Sequence, residues 1–210
     1  MPAKVNWPEA IKPLLKKYKG TKHPLDYKNV YQLLIMVVLS AQATDALINQ
    51  LAPALFKAFP KIEALSGADE ASLIPYISKV RGFIKKAKWI LAIAKKINKD
   101  KDIPLTQEGL TALPGIGRKS ANVIMREAGV KPEGVIVDLH VVRVAPRLGI
   151  ATGTDPVKIE KQIMDMIPEK DWDVGMAMSF LGREICRPTD PQCPACVMNK
   201  VCGDYLSRKS

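Results

Sequence analysis

The chain has 210 residues, enough to bury one substantial core or two small cores that share helices. Its 32 Lys and Arg against 21 Asp and Glu leave a formal charge of +11, more than solubility needs, which selects a polyanionic partner, nucleic acid before membrane. The longest uninterrupted apolar run, Leu33 to Leu39, is too short to span a bilayer. No apolar leader opens the sequence, so the expected location is the cytoplasm, near the nucleoid in a prokaryote.

The pattern is helical throughout, with no convincing alternating strand, and predicts an all-α chain. Asn6 followed by Pro8 and Glu9 reads as a helix start, with its stop at Gly20. Asp26 opens a second helix through Leu39. Its end is apolar on every side, so this helix is expected to be buried. Thr44 or Asp45 caps a third, running to about Phe59 before Pro60. Further helical segments are predicted over 69–77, 82–99, 106–113, 118–128, 138–148, 155–167 and 171–186. Pro188, Pro191 and Pro194 break the pattern in the last quarter.

Between two of these segments lies Leu113-Pro114-Gly115-Ile116-Gly117-Arg118-Lys119. Pro114 fixes the entry, and Gly115 and Gly117 remove side chains that would block a backbone phosphate. The helix beginning near Arg118 offers its free N–H groups and dipole to an anion, and Arg118 adds charge. A plain helix connection is as common for such a turn alone. With the net charge, the DNA-binding helix-hairpin-helix reading is the better one. Lys119 follows the turn. It either adds charge or, as a neutral amine, acts as a nucleophile. Asp138, after the apolar stretch Val135-Ile136-Val137, reads as an N-cap, and its carboxylate suits stabilisation of an oxocarbenium-like sugar.

The four cysteines of the chain fall within seventeen residues, as Cys186-x6-Cys193-x2-Cys196-x5-Cys202. Four soft thiolates converging from a short loop are what a [4Fe-4S] cluster needs. Structural zinc is the rival, although zinc knuckles usually use two C-x2-C pairs and this chain has one. Two disulfides come third, because they belong to secreted, cysteine-dense domains.

Together these residues resemble the endonuclease III family, the iron–sulfur branch of the helix-hairpin-helix DNA glycosylases. The likeness rests on Leu39-Ser40-Ala41-Gln42-Ala43-Thr44-Asp45, on Leu113 to Val123, on Val137-Asp138-Leu139-His140 followed by Arg143, and on the cysteine spacing. It implies a six-helix barrel over residues 21–132, with a helical iron–sulfur cluster domain formed by 1–20 and 133–210. It implies removal of oxidised pyrimidines from damaged double-stranded DNA by a monomer. Lys119 would be the nucleophile forming a Schiff base, and Asp138 the catalytic carboxylate. Gln42 would fill the gap left by the extruded nucleotide, with Gly115, Gly117 and Arg118 on the DNA backbone. Cys186, Cys193, Cys196 and Cys202 would hold the cluster. Arg183, Arg187 and Lys200 near its loop are further candidate phosphate contacts, each equally readable as surface charge.

The chain departs from the family pattern in two places. Leu139 stands where Thr is usual. The segment Gly82-Phe83-Ile84-Lys85-Lys86-Ala87 is one residue shorter than the family's G-[FL]-Y-x-x-K-A loop, with Ile84 in place of Tyr. That loop wedges into the opposite strand in the family. An abasic-site lyase, a monofunctional mismatch (T/U) glycosylase and a non-catalytic redox-active DNA-binding module are therefore the competing functions.

Overall fold

The computed structural model describes residues 5–208, and all of its regular structure is helical, with no strand among the described residues. The expected domain limits at residues 1 and 210 lie outside them. The chain divides into two compact units. One spans Lys22–Pro132; the other joins the chain up to Thr21 with Glu133 onward.

The opening helix is expected to be continuous but is two: α1 (Trp7–Ala10) and α2 (Lys12–Tyr18). Pro13 has no N–H to return to the preceding turn, so the helix breaks at Ile11 and restarts with proline in its first turn. Trp7, Ile11, Leu14 and Tyr18 are buried, and the Tyr18 hydroxyl donates to Glu184 at 3.0 Å.

In the unit spanning Lys22–Pro132, α3 (Val30–Ser40) begins four residues later than expected. Asn29 is the cap, its side chain accepting from the Gln32 N–H. Asp26 is held elsewhere: its N–H donates to Asn49 Oδ1 at 2.9 Å, which fixes the preceding segment as a non-helical strap. Every residue from Leu33 to Leu39 is buried, as a helix apolar on all sides must be. Thr44 caps α4 (Asp45–Ala58), as the sequence leads one to expect. The short α5 (Ile62–Ser66) is not anticipated by the pattern. Two apolar anchors, Ile62 and Leu65, carry it, and Asp100 Oδ1 accepts the Ile62 N–H across 38 positions of sequence.

A capping box from Asp69 and Ser72 starts α6 (Glu70–Ile77). The amphipathic α7 (Phe83–Ile97) starts after Gly82 and is stopped by Asn98 in the left-handed region. Thr106 caps α8 (Gln107–Thr111), and α9 (Arg118–Glu127) follows the glycine turn. α3 packs against α4, α7 and α9, so it is the axis of this unit.

The chain then returns to the unit that holds α1 and α2 through the buried segment Val135-Ile136-Val137. The helices that follow are α10 (Leu139–Leu148), α11 (Pro156–Met166), α12 (Val174–Glu184) and α13 (Gly203–Ser207). α12 starts three residues later than expected because a 3₁₀ turn at Glu169–Asp171 precedes it, and it ends before Cys186. α10 and α2 both lie against α12. Gly175 leaves no room for a Cβ against the Ile136 carbonyl, so α12 seats closely on the segment that leads into Asp138.

Candidate nucleic-acid interface and thiol cavity

In the unit spanning Lys22–Pro132, Leu113 and Ile116 are buried and anchor the turn between α8 and α9, while Gly115, Gly117, Arg118 and Lys119 are exposed. Gly115 sits at φ +81°, and a Cβ there would lie 2.6 Å from the Trp89 ring. Two constraints therefore demand glycine at that position. Gly117 differs: its φ is −97°, and a Cβ would meet nothing within 4 Å. It caps α9 without offering a side chain to the first-turn amides, which leaves that terminus open to an anion. Lys119 stands in the first turn of α9, beside this opening.

Gln42 occupies the turn between α3 and α4. The Ala43 N–H donates to the Ser40 carbonyl at 3.0 Å. Ala41 lies at φ −56°, ψ 115°, and Gln42 at φ +58°. This is a type II turn with an exposed glutamine in the position that favours glycine. Sequence reasoning missed what holds it. Lys86, on α7, is only 4% exposed, and its Nζ donates to the carbonyls of Leu39 at 2.8 Å and Ala41 at 2.5 Å. Burial pulls its pKa below the ordinary lysine value. Two residues before Lys86, Ile84 is exposed in the first turn of α7, which follows Gly82 in the left-handed region.

In the other unit, Asp138 caps α10. Its Oδ1 accepts from the N–H groups of His140 at 2.9 Å and Val141 at 3.0 Å. Its Oδ2 accepts from the Ser179 hydroxyl at 2.6 Å, with Arg183 Nη2 at 3.9 Å. Both carboxylate oxygens are thus held, and the rotamer is fixed. Ser179 is 1% exposed and lies 41 positions downstream, so nothing in the local pattern marks it. Leu139, the departure from the family motif, points outward and is 84% exposed. His140 Nδ1 lies 3.3 Å from Arg143 Nη2. Arg143 also donates to the carbonyls of Gly182 and Cys186, which ties α10 to the end of α12.

All four cysteines line one cavity, together with Arg147, Leu181, Ile185 and Tyr205. Arg147 closes it from α10, donating to the Arg187 and Pro188 carbonyls and approaching Cys186 Sγ at 3.5 Å. The Met198 N–H approaches Cys196 Sγ, also at 3.5 Å. Burial pushes the Cys196 and Cys202 thiols above their ordinary pKa. Among the described residues, no three His, Cys, Asp or Glu side chains are grouped to hold a metal ion as they stand. Four sulfurs set around a hollow, with N–H donors aimed at two of them, suit a body of several metal atoms better than a single tetrahedral ion. The donor set therefore fits an iron–sulfur cluster. Of the neighbouring basic residues, Lys200 is exposed, and Arg187 is exposed with its Nε donating to the Glu184 carbonyl.

The model of the HhH-GPD superfamily of base excision DNA repair proteins matches residues 35–169. Endonuclease III of Synechocystis sp. is 38% identical over 192 residues, covering 90% of this chain and 88% of that protein. Two solved structures share the fold with a TM-score of 0.85. One is a trapped endonuclease III–DNA covalent intermediate, an estranged-adenine complex, at 31% identity over 96% of each chain. The other is a non-covalent endonuclease III–DNA complex, at 32% identity over 96% of this chain and 95% of that one. The chain belongs to the endonuclease III family of HhH-GPD base excision DNA repair proteins.

Proposed function

We propose that the chain is a bifunctional base-excision enzyme for damaged double-stranded DNA: a glycosylase that removes oxidised pyrimidines and an AP lyase that nicks the resulting strand. The observation that carries this is Lys119, exposed in the first turn of α9 directly after the open glycine turn. The trapped covalent intermediate of a relative supports an enzyme of this kind.

In this reading the N–H groups at Gly117–Lys119 bind a DNA phosphate, and Arg118 adds charge there. The Lys119 amine attacks C1′ of an extruded nucleotide. The glycosidic bond breaks and the base leaves, taking up one of the amine's protons; the sugar ring then opens at C1′–O4′, O4′ takes the other, and a Schiff base links Lys119 to C1′. Loss of a C2′ proton then expels the 3′ phosphate by β-elimination. Asp138, its rotamer fixed by Ser179 and the α10 amides, stabilises the positive sugar and helps take the proton of the amine. Gln42 enters the duplex where the nucleotide has left. Cys186, Cys193, Cys196 and Cys202 hold a [4Fe-4S] cluster, which when bound cross-links its loop and takes no part in base removal. Residues 21–132 act as the barrel domain, and 1–20 with 133–210 as the cluster domain. The enzyme acts as a monomer in the cytoplasm. Among the described residues, no helix is long and apolar enough to cross a membrane.

Borohydride trapping tests the proposal, on duplexes carrying thymine glycol, dihydrouracil, uracil or an abasic site. A covalent adduct on the oxidised pyrimidines, lost in Lys119→Gln while DNA binding persists, is the expected result. An adduct on the abasic duplex alone would reduce the enzyme to a lyase. No adduct on any duplex would overturn the role of Lys119.

A further inference from the structure

We infer that Lys86 is a positioning residue for lesion recognition, and that it acts by clamping the turn that presents Gln42. The inference rests on the reading of Gln42 as the side chain that enters the duplex.

The geometry is specific to that turn. The Ala41 carbonyl belongs to the peptide bond that leads into Gln42, so an ammonium 2.5 Å from its oxygen fixes the plane of that peptide. The same nitrogen binds the Leu39 carbonyl at the end of α3. Two carbonyls that helix termination leaves without intrahelical partners are thus answered by one side chain. Gln42 follows at φ +58°, where a residue with a Cβ is strained and glycine would be relaxed. A strained turn relaxes unless its surroundings over-determine it. Here the over-determining group is a charge buried to 4% exposure and drawn from α7, 45 positions along the chain. A structural cap alone would be served by any donor at the end of α3, and it would not explain a glutamine kept in the place of a glycine. Lys86 also follows Gly82 and Ile84 by four and two positions. The start of α7 and the Gln42 turn are therefore held as one piece.

The prediction is that Lys86 and Gln42 contribute to one property, the preference for a duplex with an abasic site over an intact duplex. The experiment is a double-mutant cycle on that affinity ratio, using the full chain with its cluster, with Gln42→Ala, Lys86→Met and the pair. Thermal unfolding is recorded for each variant, to show that it is folded at the assay temperature. Each single substitution should lower the ratio about tenfold, and the pair no further than either alone. Lys86→Arg, which keeps donors, should recover part of the loss. Losses that multiply in the pair would overturn the inference, as would a normal ratio in Lys86→Met. A normal ratio in Gln42→Ala would instead remove Gln42 from the duplex, and the inference would fall with it. If Lys86→Met does not fold, Lys86→Gln, with one amide donor group, takes its place in the same cycle and must show the same non-additivity.

Discussion

Gly115 and Gly117 stand two residues apart in one turn, and they should respond to alanine in opposite ways. At Gly115 the methyl group meets two obstacles. The left-handed φ of +81° costs an L-residue about 1–2 kcal/mol. The Trp89 ring, 2.6 Å from the new Cβ, must also move, at a cost of about 1–3 kcal/mol for an overpacked site. Gly115→Ala should therefore destabilise the chain by about 2–5 kcal/mol, read as a lower urea midpoint with an unchanged slope. At Gly117 neither obstacle exists: φ is −97°, and no atom lies within 4 Å of the added carbon. Only the weaker capping by alanine remains, at most about 1 kcal/mol. The open space in front of that position is where a phosphate is proposed to sit, however, so the methyl group would stand against the ligand. Gly117→Ala should leave the unfolding midpoint nearly unchanged and weaken binding to an abasic-site duplex about tenfold or more, measured by titration at fixed salt. Unaltered affinity in a folded Gly117→Ala protein would refute the placement of the phosphate. Unaltered stability in Gly115→Ala would refute the steric account of the turn.

Ser179→Ala removes the 2.6 Å hydrogen bond to Asp138. Single-turnover base release should slow about tenfold, the equivalent of a lost hydrogen bond to a charged group, with DNA affinity unchanged. Tyr31 is buried and donates to the Phe59 carbonyl at 2.8 Å, and burial raises its pKa well above the ordinary value of 10. The raised folded value means that this contribution is complete below pH 10 and is lost above it, as the unfolded tyrosine ionises first. The stability advantage over Tyr31→Phe, about 1 kcal/mol at neutral pH, should shrink and then reverse in denaturant titrations above that point. Cys202→Ala should yield protein without the brown iron–sulfur absorbance and with a lowered unfolding midpoint. Full absorbance in that variant would remove Cys202 from the ligand set.

Residues whose partners lie within a few positions were legible in the sequence. Thr44, Asp69, Thr106, Asp138 and Asp155 all cap the helices that follow them, because an N-cap bonds the backbone two or three residues ahead. The all-helical class, the buried run at Leu33–Leu39, the glycine turn and the set of four cysteines are likewise written in spacing and composition. The tertiary structure decided what long-range contacts control. Asn49 takes the Asp26 N–H and so moves the start of α3 to Asn29, and Asp100 helps to seat the unanticipated α5. Lys86 looks in the sequence like one more surface cation among its lysine neighbours, and Ser179 like one more small residue in an apolar helix. Each becomes meaningful only when folding brings an acceptor to it from some 40 or more positions away. A helix cap repeats at a fixed offset and leaves a local signature; a buried donor reaching across the core has no fixed offset, so the chain can specify it only through the fold.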